Sequence, residues 1–171
     1  MTEVTITHVI GTVTLILVFV SVTLFYQYYY SSLQKETLAR QLEEAANYIA
    51  SNLADLISLC LISPADQLVV KTLDMPEKIG ESYYSIAITK SVDPYIGEEM
   101  VTVKVYLNSD PFTIGEAILP FTLINVWNDT GSINLDIVQP KLVISSGTPN
   151  SVIWALAKNS TITIGLGIKI G

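Results

Sequence analysis

Few side chains in this sequence could carry out catalysis or bind a metal ion. There is one histidine, His8, and one cysteine, Cys60. This count excludes an internal disulfide and any site built from several thiolates, and it removes most general-base and zinc chemistry. The sequence contains no glycine-rich phosphate loop and no nucleophile elbow. We therefore expect a protein that is not an enzyme and that holds no cofactor or metal.

The acidic residues offer one weak alternative to that expectation. Asp93 lies close in sequence to Glu98 and Glu99, and calcium prefers oxygen ligands of this kind. Adjacent acids in a turn are more often a solvated loop, so we predict a loop here and no metal site.

Two asparagines stand in acceptor triplets for N-glycosylation. Asn128 is followed by Thr130 and Asn159 by Thr161, both at predicted turns. Such triplets also arise by chance, but two of them at turns favour covalent glycans and a domain outside the cell.

Composition limits the kind of partner that the chain can bind. Of its 171 residues, 50% are hydrophobic and only 15% are charged, which is too apolar for a disordered chain. Nine basic residues against sixteen acidic ones give a net charge of −7. Because nucleic-acid backbones attract positive charge, we expect no nucleic-acid binding.

Proline and glycine divide the chain into two parts. All seven prolines and eight of the nine glycines lie beyond residue 63. Since these residues interrupt helices and form turns, residues 1–63 are predicted to be one helix, and residues 64–171 a separate domain.

The first part of the predicted helix is suited to a membrane. No formal charge occurs between Glu3 and Lys35, and the stretch Val9–Tyr30 contains twelve Val, Ile, Leu or Phe residues. These favour insertion by roughly 5 kcal/mol, and the stretch is long enough to span a bilayer. A cleaved secretory signal is the alternative, but no small-residue cleavage site follows the stretch.

Small residues in this stretch indicate contact with other helices. They fall along one side of the helix, where close approach of a second backbone is possible; they are Thr7, Gly11, Thr14 and Ser21. Glu3 is the only charge before the stretch and is predicted to pair with a neighbouring chain or to remain at the membrane surface. The alternative for the small residues is that membrane helices simply tolerate them.

After Tyr30 the helical pattern becomes amphipathic. Apolar residues recur at intervals of three and four; they are Leu38, Leu42, Ala45, Ala46, Ile49, Leu53, Leu56, Ile57 and Cys60. This stripe is predicted to pack against the domain that follows or against another helix, with Cys60 as a small buried apolar residue.

Residues 64–171 have the composition of an all-β domain. Short runs rich in β-branched and aromatic residues alternate with turn residues. The predicted strands are Gln67–Leu73, Tyr83–Thr89, Val101–Leu107, Phe121–Trp127, Ile133–Val138, Lys141–Ser145, Val152–Ala157 and Thr161–Ile170. The predicted fold class is therefore α+β, with a long N-terminal helix followed by an antiparallel β-sandwich head.

This organisation resembles that of the archaeal type IV pilin-like superfamily, which includes adhesion pilins and archaellum filament subunits. The matching parts are Glu3, the apolar Val9–Phe25, the amphipathic Leu33–Ile62 and the domain from Pro64 onward. Pilins commonly carry a glutamate at the fifth mature position; position 5 here is Thr, so Glu3 would take that role.

The resemblance implies a structural function. Subunits of this kind reside in the membrane before assembly and then polymerise through the N-terminal helix into an extracellular filament, a helical homopolymer with the β heads outside. The alternative is a membrane-anchored β-sandwich, an accessory or surface-binding protein that does not polymerise.

Overall fold

The computed structural model describes residues 2–62, 66–92, 97–121, 124–128, 133, 135–159 and 161–170, and of residues 2–7 only the backbone. The chain forms two compact units, Met1–Thr37 and Leu38–Gly171. The predicted boundary between residues 63 and 64 lies outside the described residues and stays a prediction.

One helix, α1, runs over Thr2–Ile62, as the absence of proline and the near absence of glycine in this part predicts. Many of its early residues are β-branched, which lowers intrinsic helicity. The predicted amphipathic stripe in its second half is confirmed: Leu42, Ala46, Ile49, Leu53 and Ile57 are fully buried.

Nine strands follow the helix in the described part of the chain. They are β1 Gln67–Thr72, β2 Tyr84–Val92, β3 Glu99–Leu107, β4 Ile114–Leu119, β5 Ile124–Val126, β6 Val138–Lys141, β7 Val143–Ser145, β8 Ser151–Lys158 and β9 Thr161–Lys169. Most predicted strands are found within a few residues of their predicted positions, but β4 was not predicted. The strand predicted at Ile133–Val138 is displaced: Asp136 and Ile137 form a turn, and β6 begins at Val138.

The strands form two sheets. One has the order β1-β8-β9-β5, with β6 also paired to β9, and the other has the order β4-β3-β2-β7. Among the strands that the structure describes, the pairings are antiparallel except that of β5 with β9, which is parallel. The α+β prediction is confirmed, and the first sheet is mixed.

The main core lies where the second half of α1 and the two sheets meet. Leu42, Ile49 and Leu53 of the helix belong to one buried cluster with residues of both sheets, among them Val103 of β3 and Ile164 of β9. The α-helix thus supplies one side of the core, and the stripe that predicts its burial also places it against strands.

A second, smaller cluster lies around Trp154 of β8. Its indole Nε1 donates a hydrogen bond to the backbone oxygen of Leu166 at 2.9 Å. Directly opposite on β9 is Gly165, where a Cβ would come within 2.5 Å of the indole carbon Cζ2. The glycine therefore leaves the space that the indole ring occupies.

Candidate assembly segment

The apolar first part of α1 is exposed all round in the single chain. Large apolar side chains from Val9 to Phe25, including Leu17 and Phe19, are exposed to solvent. Within His8–Ile62, an 18-residue window of this part has a mean hydropathy of 2.4 and is not buried at all. A helix with apolar residues on every face needs an apolar environment on every face. We call residues Val9–Phe25 the apolar segment.

The hydroxyl groups of the apolar segment are satisfied within the helix. Each donates a hydrogen bond to the backbone oxygen four residues earlier, at 2.8 to 2.9 Å; the donors are Thr12, Thr14, Ser21 and Thr23. Because each hydroxyl group already has a hydrogen-bond partner within the helix, it does not need water as a partner. The segment therefore meets the requirements of lipid or of a helix bundle despite its Ser and Thr residues.

The predicted packing residues lie on the helix as their spacing requires. Gly11, Thr14 and Ser21 fall within about a quarter of its circumference, given 3.6 residues per turn. A Cβ at Gly11 would meet no heavy atom within 4 Å, so the chain itself does not occupy this place. Glu3 and Thr7 belong to the helix, but their side chains lie outside the described residues.

Aromatic side chains follow the apolar segment directly. The rings of Phe25 and Tyr29 stack with centroids 6.5 Å apart and an interplanar angle of 7°. Tyr26, Tyr28 and Tyr30 are exposed as well. Tyrosines in this position are typical of the interface between a bilayer and water.

The second half of α1 has a different surface. Its stripe is buried in the head, and Cys60 is buried with it, its Sγ 3.9 Å from the backbone oxygen of Ala155. Burial raises the pKa of the Cys60 thiol, because desolvation disfavours the thiolate. The prediction that Cys60 is a buried apolar residue is confirmed.

Close packing of the head on the helix depends on Gly115 of β4, which the sequence reasoning missed. A Cβ at Gly115 would lie 2.2 Å from the backbone carbon of Leu42 and 2.3 Å from the nitrogen of Glu43. Only a residue without a side chain allows this strand to lie against the helix backbone. The signal available in the sequence was this glycine among apolar residues, since such a glycine often marks the close approach of another backbone.

Tyr84 joins the core to a loop of the head. Its ring is buried, and its hydroxyl donates a hydrogen bond to the backbone oxygen of Pro76. Desolvation by burial raises the pKa of Tyr84 to about 12. The neutral phenol is thus the form that the folded head favours.

The two predicted glycan acceptors lie at the surface of the head. Asn128 is exposed shortly after β5. Asn159 is exposed in the turn between β8 and β9, with a φ of 50°, and its N–H donates to Asp66 Oδ1 at 3.2 Å. Asp129, Thr130 and Ser160 lie outside the described residues. Attachment of glycans at either asparagine stays a prediction.

Comparisons of the chain with protein-family models, with characterised proteins and with solved structures find no match. The architecture itself is that of a long N-terminal apolar helix whose second half packs on β-sheets, which is consistent with the shape of a pilin. The exposed apolar segment indicates membrane association or secretion.

Proposed function

We propose that the chain is a structural subunit of an extracellular filament resembling a type IV pilus of the archaeal kind. Subunits polymerise through α1, which forms the centre of the filament, while the β heads form its outer layer. Before assembly the apolar segment resides in the membrane. The role is purely structural: the chain is not an enzyme, needs no cofactor and does not bind nucleic acid.

One observation carries the proposal: a single helix is exposed and apolar in its first half, and its second half is built into the head. Among the described residues, the core of the head draws on α1 from Leu38 onward. The apolar segment is not buried by the described residues, so it requires lipid or other helices around it.

One feature of the apolar segment favours other helices over lipid as the lasting partner. The open position at Gly11, with Thr14 and Ser21 on the same side, permits close approach of a neighbouring backbone. Identical subunits related by a repeated, non-closing contact form a helical polymer. In such a polymer every apolar segment is surrounded by copies of itself.

A second candidate is a membrane-anchored head that does not polymerise. The exposed tyrosines directly after the apolar segment favour it, because such a group anchors a helix at the bilayer surface. In that case the apolar segment stays in lipid and the head acts as a surface-binding or accessory domain.

A matched pair of substitutions tests whether fibre assembly depends on the apolar segment. Leu17 and Leu61 are exposed leucines of the same helix, 61% and 64% exposed, one within the apolar segment and one beyond it. We expect Leu17→Lys to abolish fibres, because an ammonium inside a helix bundle has no partner, and Leu61→Lys to leave them intact.

The readout is negative-stain microscopy of material sheared from producing cells, with mass spectrometry of the fibres. The proposal predicts abundant fibres of the native chain, and none when residues 9–25 are deleted, with a folded soluble head remaining. Recovery of the native chain only from detergent-extracted membranes would support the anchored alternative, and normal fibres after the deletion would reject the filament.

A further inference from the structure

The turn between β3 and β4 presents a bare aromatic side chain. Phe112 is 93% exposed, although hydrogen bonds hold the turn that carries it. Asp110 accepts hydrogen bonds from the Phe112 N–H at 3.3 Å and from the Thr113 hydroxyl at 2.8 Å, and the Thr113 N–H donates to the Asp110 backbone oxygen at 3.0 Å. A fixed turn thus presents the ring to its surroundings, which reduces the entropy lost on binding.

This turn lies at the end of the head where the helical residues of the head begin. The head unit starts at Leu38, and a Cβ at Gly80 would come within 2.7 Å of the Leu38 Cδ2. Two residues after Gly80, the hydroxyl of Ser82 accepts a hydrogen bond from the Ser109 hydroxyl at 3.0 Å. Ser109 directly precedes the turn that carries Phe112. We call the part of the head around these residues the entry end.

Further apolar and aromatic side chains are open to solvent at the entry end. Tyr83 is 45% exposed and Ile114, which directly follows the turn, is 40% exposed. The backbone oxygen of Tyr83 accepts a hydrogen bond from the Asn108 N–H at 2.9 Å, and Lys78 Nζ lies 4.8 Å from the centroid of the Tyr83 ring. Exposed apolar side chains gathered at one end of a domain are typical of a contact with protein or membrane.

The length of the chain keeps the entry end close to a bilayer that holds the apolar segment. Leu38 lies eight positions after Tyr30, the last of the tyrosines that follow this segment. Even a fully extended chain of this length spans less than about 30 Å. The surface of that bilayer is therefore an apolar surrounding within reach of the exposed ring, whichever copy of the chain is inserted.

The charges at the entry end do not favour an anionic lipid. Lys78 is accompanied by Glu81 and Asp110, and the Asp110 carboxylate is engaged by the hydrogen bonds of its own turn. Burial of apolar surface, and not charge, is therefore the attraction to lipid. Zwitterionic headgroups suit such a surface because they present both an ammonium and a phosphate group.

We infer that the entry end of the head contacts the bilayer surface while the apolar segment is in the membrane. The Phe112 ring lies at the boundary between headgroups and acyl chains, where apolar side chains of membrane-bound proteins are buried. The inference rests on the membrane-resident stage of the proposed function and gives the head a defined contact before assembly. Release of this contact then becomes a step of assembly.

Quenching of tryptophan fluorescence by brominated lipid tests the contact in the full chain. The native chain and its Phe112→Trp variant are reconstituted into phosphatidylcholine vesicles, with or without bromine on the upper part of the acyl chains. Subtraction of the native signal removes the contribution of Trp127 and Trp154. We expect the added tryptophan to lose most of its fluorescence in brominated vesicles, because bromine quenches only at close range. Anionic lipid in the vesicles should not increase the loss.

Two other positions of the same chain provide matched controls. Leu17→Trp lies in the apolar segment, and its quenching reports that the chain is inserted. Val92 is 61% exposed and ends β2, which begins at Tyr84 beside the entry end and is about 26 Å long. Val92→Trp is therefore expected to keep its fluorescence. Circular dichroism checks that each variant is folded.

The outcomes distinguish this contact from the membrane-resident stage itself. An unquenched tryptophan at position 112 beside a quenched one at position 17 would overturn the contact and leave that stage standing. Equal quenching at positions 92 and 112 would also overturn it. Protection of position 112 from aqueous iodide in fibres, without quenching in vesicles, would assign the ring to a contact between copies instead. If position 17 is not quenched, both the contact and the membrane-resident stage are wrong.

Discussion

The two halves of α1 have the same backbone geometry but relate differently to the rest of the chain. From Leu42 onward, residues at intervals of three and four are buried in the core of the head. From Val9 to Phe25, apolar side chains point in every direction and remain exposed. The second half is stabilised by tertiary packing, as most helices in proteins are, whereas the apolar side chains of the first half are exposed in the part of the chain that the structure describes.

The two halves of this one helix therefore have separate roles. The pattern of the second half, with one apolar side, specifies how the head folds. The pattern of the first half, apolar on all sides, leaves its side chains exposed and creates a need for an apolar environment. Substitutions of the same kind in the two halves should therefore have opposite consequences for folding and for assembly.

The largest contrast is expected from two leucine truncations. Leu53 is fully buried and Leu17 is exposed. Leu53→Ala leaves a cavity and should lower the free energy of unfolding of the head by about 2–5 kcal/mol, while Leu17→Ala should not change it. Urea unfolding followed by tryptophan fluorescence measures both values. A loss of head stability in Leu17→Ala would mean that the apolar segment takes part in the fold.

Substitution of two glycines, one in each region, provides a second test of the difference between the head and the apolar segment. Gly115→Ala forces a Cβ against the backbone of Leu42 and should destabilise the head by about 1–3 kcal/mol. Gly11→Ala meets open space and should leave head stability unchanged while it reduces fibre yield, because it widens the predicted helix contact. Thermal unfolding and fibre sedimentation measure the two effects; an unchanged fibre yield would show that Gly11 does not lie in a contact.

The tyrosines of the two regions should differ in their response to pH. The pKa of Tyr84 is raised to about 12 in the folded head, against about 10 in an unfolded chain. The folded state therefore retains its proton longer, and stability is full below pH 10 and falls as the pH rises towards 12. Tyr84→Phe should remove this part of the pH dependence, at a cost of about 1 kcal/mol at neutral pH for the hydrogen bond to Pro76.

The control for the pH effect is Tyr29→Phe in the exposed aromatic group. It should leave the dependence of head unfolding on pH unchanged, since Tyr29 lies outside the core. Thermal melts of both variants between pH 9 and 12, compared with the native chain, isolate the contribution of Tyr84. Equal pH dependence in the native chain and in Tyr84→Phe would contradict the account.

The smallest effect is expected at an exposed ion pair of the head. Lys104 Nζ and Glu116 Oε1 are 2.9 Å apart on neighbouring strands, and both side chains are accessible to solvent. Glu116→Gln should change the free energy of unfolding by less than about 1 kcal/mol, because water screens such pairs. A larger loss would show that the outer side of the sheet contributes more to the fold than the exposure of this pair indicates.

Much of the fold could be predicted from the sequence because its strongest signals are periodic. The concentration of proline and glycine beyond residue 63 predicts the extent of α1 closely, and the stripe from Leu42 to Cys60 predicts which side is buried. The alternation of Ile162, Ile164 and Leu166 predicts the buried side of β9. These signals come from residues that lie close together in the sequence, and the structure agrees with them.

The features that were missed depend on contacts distant in sequence. Strand β4 contains Gly115, Glu116 and Ala117, which are poor strand formers, and it forms because β3 pairs with it and α1 lies against it. Strand β6 contains Pro140, which lacks an N–H, and the proline is tolerated because, among the described strands, β6 pairs with β9 alone and so lies at an edge. The parallel pairing of β5 with β9 likewise has no local signal.

The candidate assembly segment could be predicted from composition, since a long uncharged stretch needs no tertiary information. The exposure of Phe112 could not, because the exposure of a single aromatic side chain depends on the turn around it.

The most direct test of the central claim is a helical reconstruction by electron cryomicroscopy of fibres sheared from producing cells. The account predicts a central bundle in which residues 9–25 of each subunit contact the same residues of neighbouring subunits, with the β heads outside. Fibres in which the apolar segment is absent or faces solvent, or an intact chain found only as single copies in the membrane, would contradict it.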